Sequence, residues 1–103
     1  MRDEIMDHFF TKEFHTVTLK NEHYKYWGTV NNFNKPDGVG RMIFNENSIH
    51  EGAFKNGEPC GWGRRTDING TIFRGVFEQG IRSGKGILID QNGKLRKGNW
   101  THF

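Results

Sequence analysis

Residues 50–63 read HEGAFKNGEPCGWG, and residues 73–86, 23 positions further on, read FRGVFEQGIRSGKG. In both stretches a ring (His50, Phe73) stands two residues before a glycine (Gly52, Gly75). A phenylalanine (Phe54, Phe77) stands two residues after it, followed by a turn glycine (Gly57, Gly80) and a G-x-G pair (Gly61/Gly63, Gly84/Gly86). The same registers continue outward. Gly28 and Gly98 extend the first glycine series at spacings of 24 and 23, Gly38/Gly40 extends the pair, and Gly70 and Gly93 add a further series. Tyr26 and Arg96 take the leading position of the outer units, and Val30 and Trp100 the following one. Registers that recur together define an internal repeat, which has to be read before any local structure.

Within a unit the local signals are β. Asn56-Gly57, Asn69-Gly70 and Asn92-Gly93 predict two-residue hairpins, because a type I′ turn needs positive φ at both central residues. Runs such as TIFRGVF (71–77) and GILI (86–89) lie between them, and no segment keeps a 3.6-residue period for three turns. The exception is Ile5-Met6 with Phe9-Phe10, spaced for one face of a short helix or for an extended lead-in. Strand alternation puts Phe73, Gly75 and Phe77 on one face, with Gly84, Gly86 and Leu88 beside them on the returning strand. A ring lying across a neighbouring glycine explains why glycine is there at all. The other face collects Ile43, Ile49, Thr66, Ile72, Ile89 and Leu95 in columns. The expectation is an all-β, elongated, open antiparallel meander. It divides into a lead-in at 1–14, a degenerate half unit at 15–25, units starting near 26, 50 and 73, and a half unit at 96–103.

Composition narrows the function classes. Apolar residues are 33% of 103, well below the usual ~45–50%, while aromatics reach 14%, so rings carry the core. Cys60 stands alone, which excludes an internal disulfide and fits a reducing compartment. The acidic start, MRDEIMDHFF, lacks the apolar run of a signal peptide, and nothing approaches the ~20 apolar residues of a membrane-spanning helix. The expectation is a soluble, cytoplasmic chain. Charge is uneven: residues 1–54 hold six Lys/Arg against eight Asp/Glu, or −2, and residues 55–103 hold nine against four, or +5.

The pattern Tyr26-x-Gly28, His50-x-Gly52-x-Phe54-Lys55-Asn56-Gly57, Gly61-x-Gly63 and Phe73-x-Gly75-x-Phe77 resembles the MORN repeat (membrane occupation and recognition nexus). Val30 and Phe33 depart from it in the first unit, and His50 and Arg96 replace the leading aromatic. The resemblance implies a non-enzymatic protein–protein interaction or scaffolding module in cytoskeletal, ciliary or membrane-linked assemblies. Two other classes stand beside it: a peripheral binder of anionic phospholipid through the basic half, and an accessory subunit of a separate enzyme.

Other motifs dissolve into the repeat. Gly80 to Gly86 is one residue short of a phosphate-binding loop and lacks its hydroxyl, and Asp90-Gln91-Asn92-Gly93 leads into Lys94, the wrong charge for calcium. His8, His15, His23, His50 and His102 have no ligand spacing, so neither metal nor cofactor is expected. For partner contact, Phe54, Phe77 and Trp100 recur at one register, with Tyr26 and Phe73 in the leading positions. Their competing role is to cover glycine. Trp100 is expected to be an uncovered anchor for a partner protein or for a homodimer through the C-terminal edge. Arg64, Arg65, Arg74, Lys85, Arg96 and Lys97 are candidates for an anionic surface, with a solvated sheet face as the competing reading. Nucleic acid is not an expected partner.

Overall fold

The computed structural model describes residues 16–100. They form one open sheet of eight antiparallel strands in chain order: β1 (Thr16–Lys20), β2 (Tyr24–Val30), β3 (Pro36–Phe44), β4 (Ile49–Lys55), β5 (Glu58–Thr66), β6 (Ile72–Glu78), β7 (Ile81–Ile89) and β8 (Leu95–Trp100). No helix occurs among the described residues. The segment weighed as a short N-terminal helix lies outside them, as does the end of the half unit at 96–103.

Two kinds of turn alternate. β4–β5 and β6–β7 are joined by the two-residue turns Asn56-Gly57 and Gln79-Gly80, with φ of +50/+94 and +52/+82. Gln79 carries no turn signature; its following glycine and the strand register hold it at positive φ. Asn69-Gly70 and Asn92-Gly93 are not two-residue turns. They sit late in the longer loops 67–71 and 90–94, where the glycine alone has positive φ. An aspartate three residues upstream opens each loop. The Gly70 N–H donates to the Asp67 carbonyl at 2.9 Å and the Gly93 N–H to that of Asp90 at 2.9 Å, while the Asp90 carboxylate accepts from the Asn92 and Lys94 N–H groups. Such side-chain acceptance favours a type I turn closed by one left-handed residue. In the first unit Asn47, at φ +75, does the work of that glycine.

The two glycines of each G-x-G pair have different jobs. The second belongs to an unbroken row of directly opposed glycines crossing the sheet from β2 to β8: Gly28, Gly40, Gly52, Gly63, Gly75, Gly86 and Gly98. The first (Gly38, Gly61, Gly84) sits at positive φ inside a bulge, where the register slips in the same place in every unit, between Gly28/Val30, Gly52/Phe54 and Gly75/Phe77. Bulges bend a strand and raise its twist. Repeated at one register, they curl a single sheet far enough to bury side chains of its inner face. Successive hairpins are also tied at their turns: the Gly57 N–H donates to the Pro36 carbonyl at 2.7 Å, and the Gly80 N–H to that of Pro59 at 2.9 Å.

Candidate functional site

The inner face is a ladder of rings. Tyr26, Phe54, His50, Phe77, Phe73 and Trp100 meet edge to face in that order, with centroids 5.1, 5.4, 4.4, 5.5 and 5.5 Å apart. Each such pair is worth roughly 0.5–1.5 kcal/mol beyond the area it buries. The leading ring of each unit covers the glycine row. A Cβ on Gly40 would enter the Tyr26 ring, one on Gly86 would enter the Phe73 ring, and one on Gly63 would lie 2.6 Å from His50 Nε2. Phe54 and Phe77 fill the spaces between these covering rings. Tyr26, Phe54, Phe73 and Phe77 are therefore buried core, which supports the structural role weighed for them above. Trp100 is half-buried as the last rung.

Polar ends along the ladder are treated case by case. The Tyr26 hydroxyl donates to the Thr29 carbonyl at 2.7 Å, and burial pushes its pKa up to about 12. His50 Nδ1 accepts from Arg65 Nε at 3.1 Å, while its buried Nε2 has no hydrogen-bond partner. Burial first, and the Arg65 charge second, push the imidazole down to about 3, so His50 is neutral. The Arg65 guanidinium lies 5.0 Å from the Phe44 centroid and 5.3 Å from that of Phe77, and Arg82 lies 5.3 Å from that of Phe73. Burial lowers the Arg65 pKa, opposed by the nearby Asp67 and Glu46 carboxylates.

The outer face has another character. Ile43, Ile49, Thr66, Ile72, Ile89 and Leu95 pair across successive strands as one aliphatic row, as their spacing predicts. Beside it runs a row that is charged except at Ile87: Arg41, Glu51, Arg64, Arg74, Ile87 and Lys97. Glu51 holds Arg64 at 2.8 Å and Arg41 at 3.8 Å, leaving Arg74, Lys85 and Lys97 without an ion-pair partner among the described residues. These three surround an open groove of about 640 Å³ whose apolar wall is Trp62 and Ile87 and whose floor includes Gly86 and Gly98. Trp62 is 69% exposed. A second groove, of about 430 Å³, lies against Trp27 and Arg41.

The six basic candidates thus separate by strand parity. Arg64, Arg74, Lys85 and Lys97 face outward, and Arg65 and Arg96 share the ring face. Trp62 belongs to no column of repeated aromatics, because nothing equivalent to it recurs: Val39 and Lys85 stand at its position in the neighbouring units. Outward parity two residues before Arg64 was the available signal. Among the described residues no three His, Cys, Asp or Glu gather as a metal site, and no helix is long and apolar enough to cross a membrane.

Comparison with curated proteins gives no match. The family model of the MORN repeat matches residues 50–72 and 73–95, the two units that carry the tight turns, the bulge glycines and the covering rings in full. Residues 50–95, which occupy the sheet from β4 to β7, thus match two consecutive MORN repeats, units that are generally protein- or membrane-interaction modules.

Proposed function

We propose that the chain is a non-enzymatic docking module that holds an acidic partner protein against the outer face of its sheet. The observation that carries this reading is the Trp62 groove. A 69%-exposed indole is ringed there by Arg74, Lys85 and Lys97, none of them neutralised within the described residues. Binding hot spots are enriched in Trp, Tyr and Arg, and the two lysines add charge complementarity toward an acidic partner. A single curled sheet whose hairpins are tied turn to turn suits the role of spacer, since it presents that face on a stiff support. Its place in cytoskeletal, ciliary or membrane-linked assemblies is what the repeat family implies. The same cations around one indole also suit anionic phospholipid, which is the second reading.

The test compares the outer face with the rest. Trp62→Ala is expected to weaken partner binding by ~2 kcal/mol, about thirtyfold, with an unchanged urea midpoint. Affinity measured by titration calorimetry on a cross-linked and identified partner checks it, and equal affinity of wild type and variant would remove the outer face from the reading. Co-sedimentation with phosphatidylserine vesicles that falls with added salt would favour the lipid reading instead.

A further inference from the structure

The ring face carries a second constellation that neither the repeat nor the outer groove uses. A cavity of about 240 Å³ opens between Arg65 and Arg82, lined also by Phe73, Phe77, Gly80, Ile81 and Asp67. Both guanidiniums are held over ring faces, Arg65 between Phe44 and Phe77 and Arg82 over Phe73, and the centroids of Phe73 and Phe77 are only 5.5 Å apart. A cation held by a ring quadrupole keeps all its N–H donors. Of those donors Arg65 commits one, Nε, to His50, and Arg82 donates to no protein group among the described residues. Asp67 and Glu46 bear on Arg65 electrostatically, but neither reaches ion-pair distance. Two like-charged forks facing one small cavity outnumber its single lining carboxylate, Asp67, and keep N–H donors for a further anion.

We infer that Arg65 and Arg82 form a clamp for a carboxylate side chain, an aspartate or glutamate, of a polypeptide laid along the ring face. Arginine forks match a planar carboxylate in two parallel hydrogen bonds, and holding both forks over rings beforehand removes much of the ordering cost. The choice of a peptide over a membrane rests on shape. The cavity, of about 240 Å³, takes one side chain, and Arg65 stands on the curled-in face among buried rings. The site lies opposite the Trp62 groove and is independent of it, so either can fail alone.

A hexaglutamate peptide, with hexaglutamine as the neutral control, tests the clamp on the full chain by titration calorimetry and by NMR of the arginine Nε–Hε resonances. Hexaglutamate is expected to bind and to shift the Arg65 and Arg82 resonances, and hexaglutamine to do neither. Arg82→Gln, which leaves the Arg65–His50 bond alone, should weaken binding about tenfold, as expected for one charged hydrogen-bond pair. Arg65→Gln should do the same, and its fold is checked by an unchanged far-ultraviolet spectrum. Wild-type affinity in Arg82→Gln overturns the inference. So does a loss confined to Lys97→Gln, which would put the peptide on the outer face. Phosphatidylserine vesicles that shift the Arg82 resonance while hexaglutamate does not would reassign the cavity to a lipid surface.

Discussion

Tyr26 and His50 occupy the same slot in successive units, each fully buried and each lying against a glycine of the next strand, yet their polar ends meet opposite fates. The phenol donates a hydrogen bond to the Thr29 carbonyl three residues on, whereas His50 Nε2 has no partner among the described residues. In the third unit Phe73 fills the slot with no polar atom at all, and its Cζ approaches a hypothetical Gly75 Cβ at 2.8 Å. What the slot selects is a flat ring over a residue without a side chain. Hydrogen bonding at the ring's end is a local addition that each unit makes or omits. Stability should therefore depend most on the glycine under the ring, less on the ring's chemistry, and least on rings with one neighbour.

The largest effect should come from filling the glycine row. Gly86 does not have positive φ, so a substitution there is judged by space alone, and any Cβ runs into Phe73. Gly86→Val should cost ~3 kcal/mol, at the upper end for overpacking. Gly93 is the contrasting position: φ is +88 and nothing lies within 4 Å of a Cβ, so Gly93→Ala should cost only ~1 kcal/mol of backbone strain. Urea unfolding of the two variants measures the difference. Equal costs would mean that the rings can move aside and that the row is not closed by them.

His50 sharpens the comparison through pH. An imidazole with a folded pKa of about 3, against an ordinary value of 6.5, takes up a proton between those limits only after unfolding. Its contribution is thus fully present above pH 6.5 and is lost as pH falls through that window, by ~1.4 kcal/mol per pH unit. At pH 5 the wild type should have lost ~2 kcal/mol on this account. His50→Phe, which puts the third unit's ring into the second unit, should lack that part of the slope. Near pH 7 it should be within ~1 kcal/mol of wild type, because the orphaned Nε2 disappears along with the Arg65 contact. Urea midpoints at pH 7, 6 and 5 for both proteins check this, with the other histidines common to the two. Parallel curves would show that His50 is hydrated enough to accept its proton when folded.

Much of this architecture was legible because it is periodic. Glycines 23 residues apart, and rings two residues to either side, follow from strand parity and strand order, and each needs the same backbone in every unit. The roles within the G-x-G pair were not legible, since a bulge glycine and a row glycine look identical in the chain. Nor was the turn type at Asn69-Gly70, where backbone bonds between Asp67 and both Gly70 and Thr71 close a longer loop and the Asn69 side chain accepts from the Thr71 N–H. The candidate sites were harder still. Residues that recur are the ones the fold needs, so searching the repeat for function led to Phe54 and Phe77, both core. Trp62 and Arg82 break the repeat, and each lines an open cavity.

The smallest effect should lie at the end of the ladder. Phe77 has a ring on either side, His50 at 4.4 Å and Phe73 at 5.5 Å, while among the described residues Trp100 pairs with the Phe73 ring alone and is half-buried. The Trp100 indole also lies 3.2 Å from where a Gly98 Cβ would stand, so it covers its own strand rather than a neighbour's. Trp100→Ala should then cost ~1 kcal/mol, about one edge-to-face pair plus a partial burial. That is well below the ~3–5 kcal/mol expected of Phe77→Ala. Leu95, Lys97 and Asn99 alternate with the inner residues along this outermost strand, all of them exposed. A second copy pairing there would lay its own backbone beside Trp100, and the variant would then lose self-association as well. Sedimentation velocity at several concentrations separates the cases. A wild type that dimerises and a variant that does not make the last rung a contact between copies; two monomers with urea midpoints differing by ~1 kcal/mol make it a lid on Phe73.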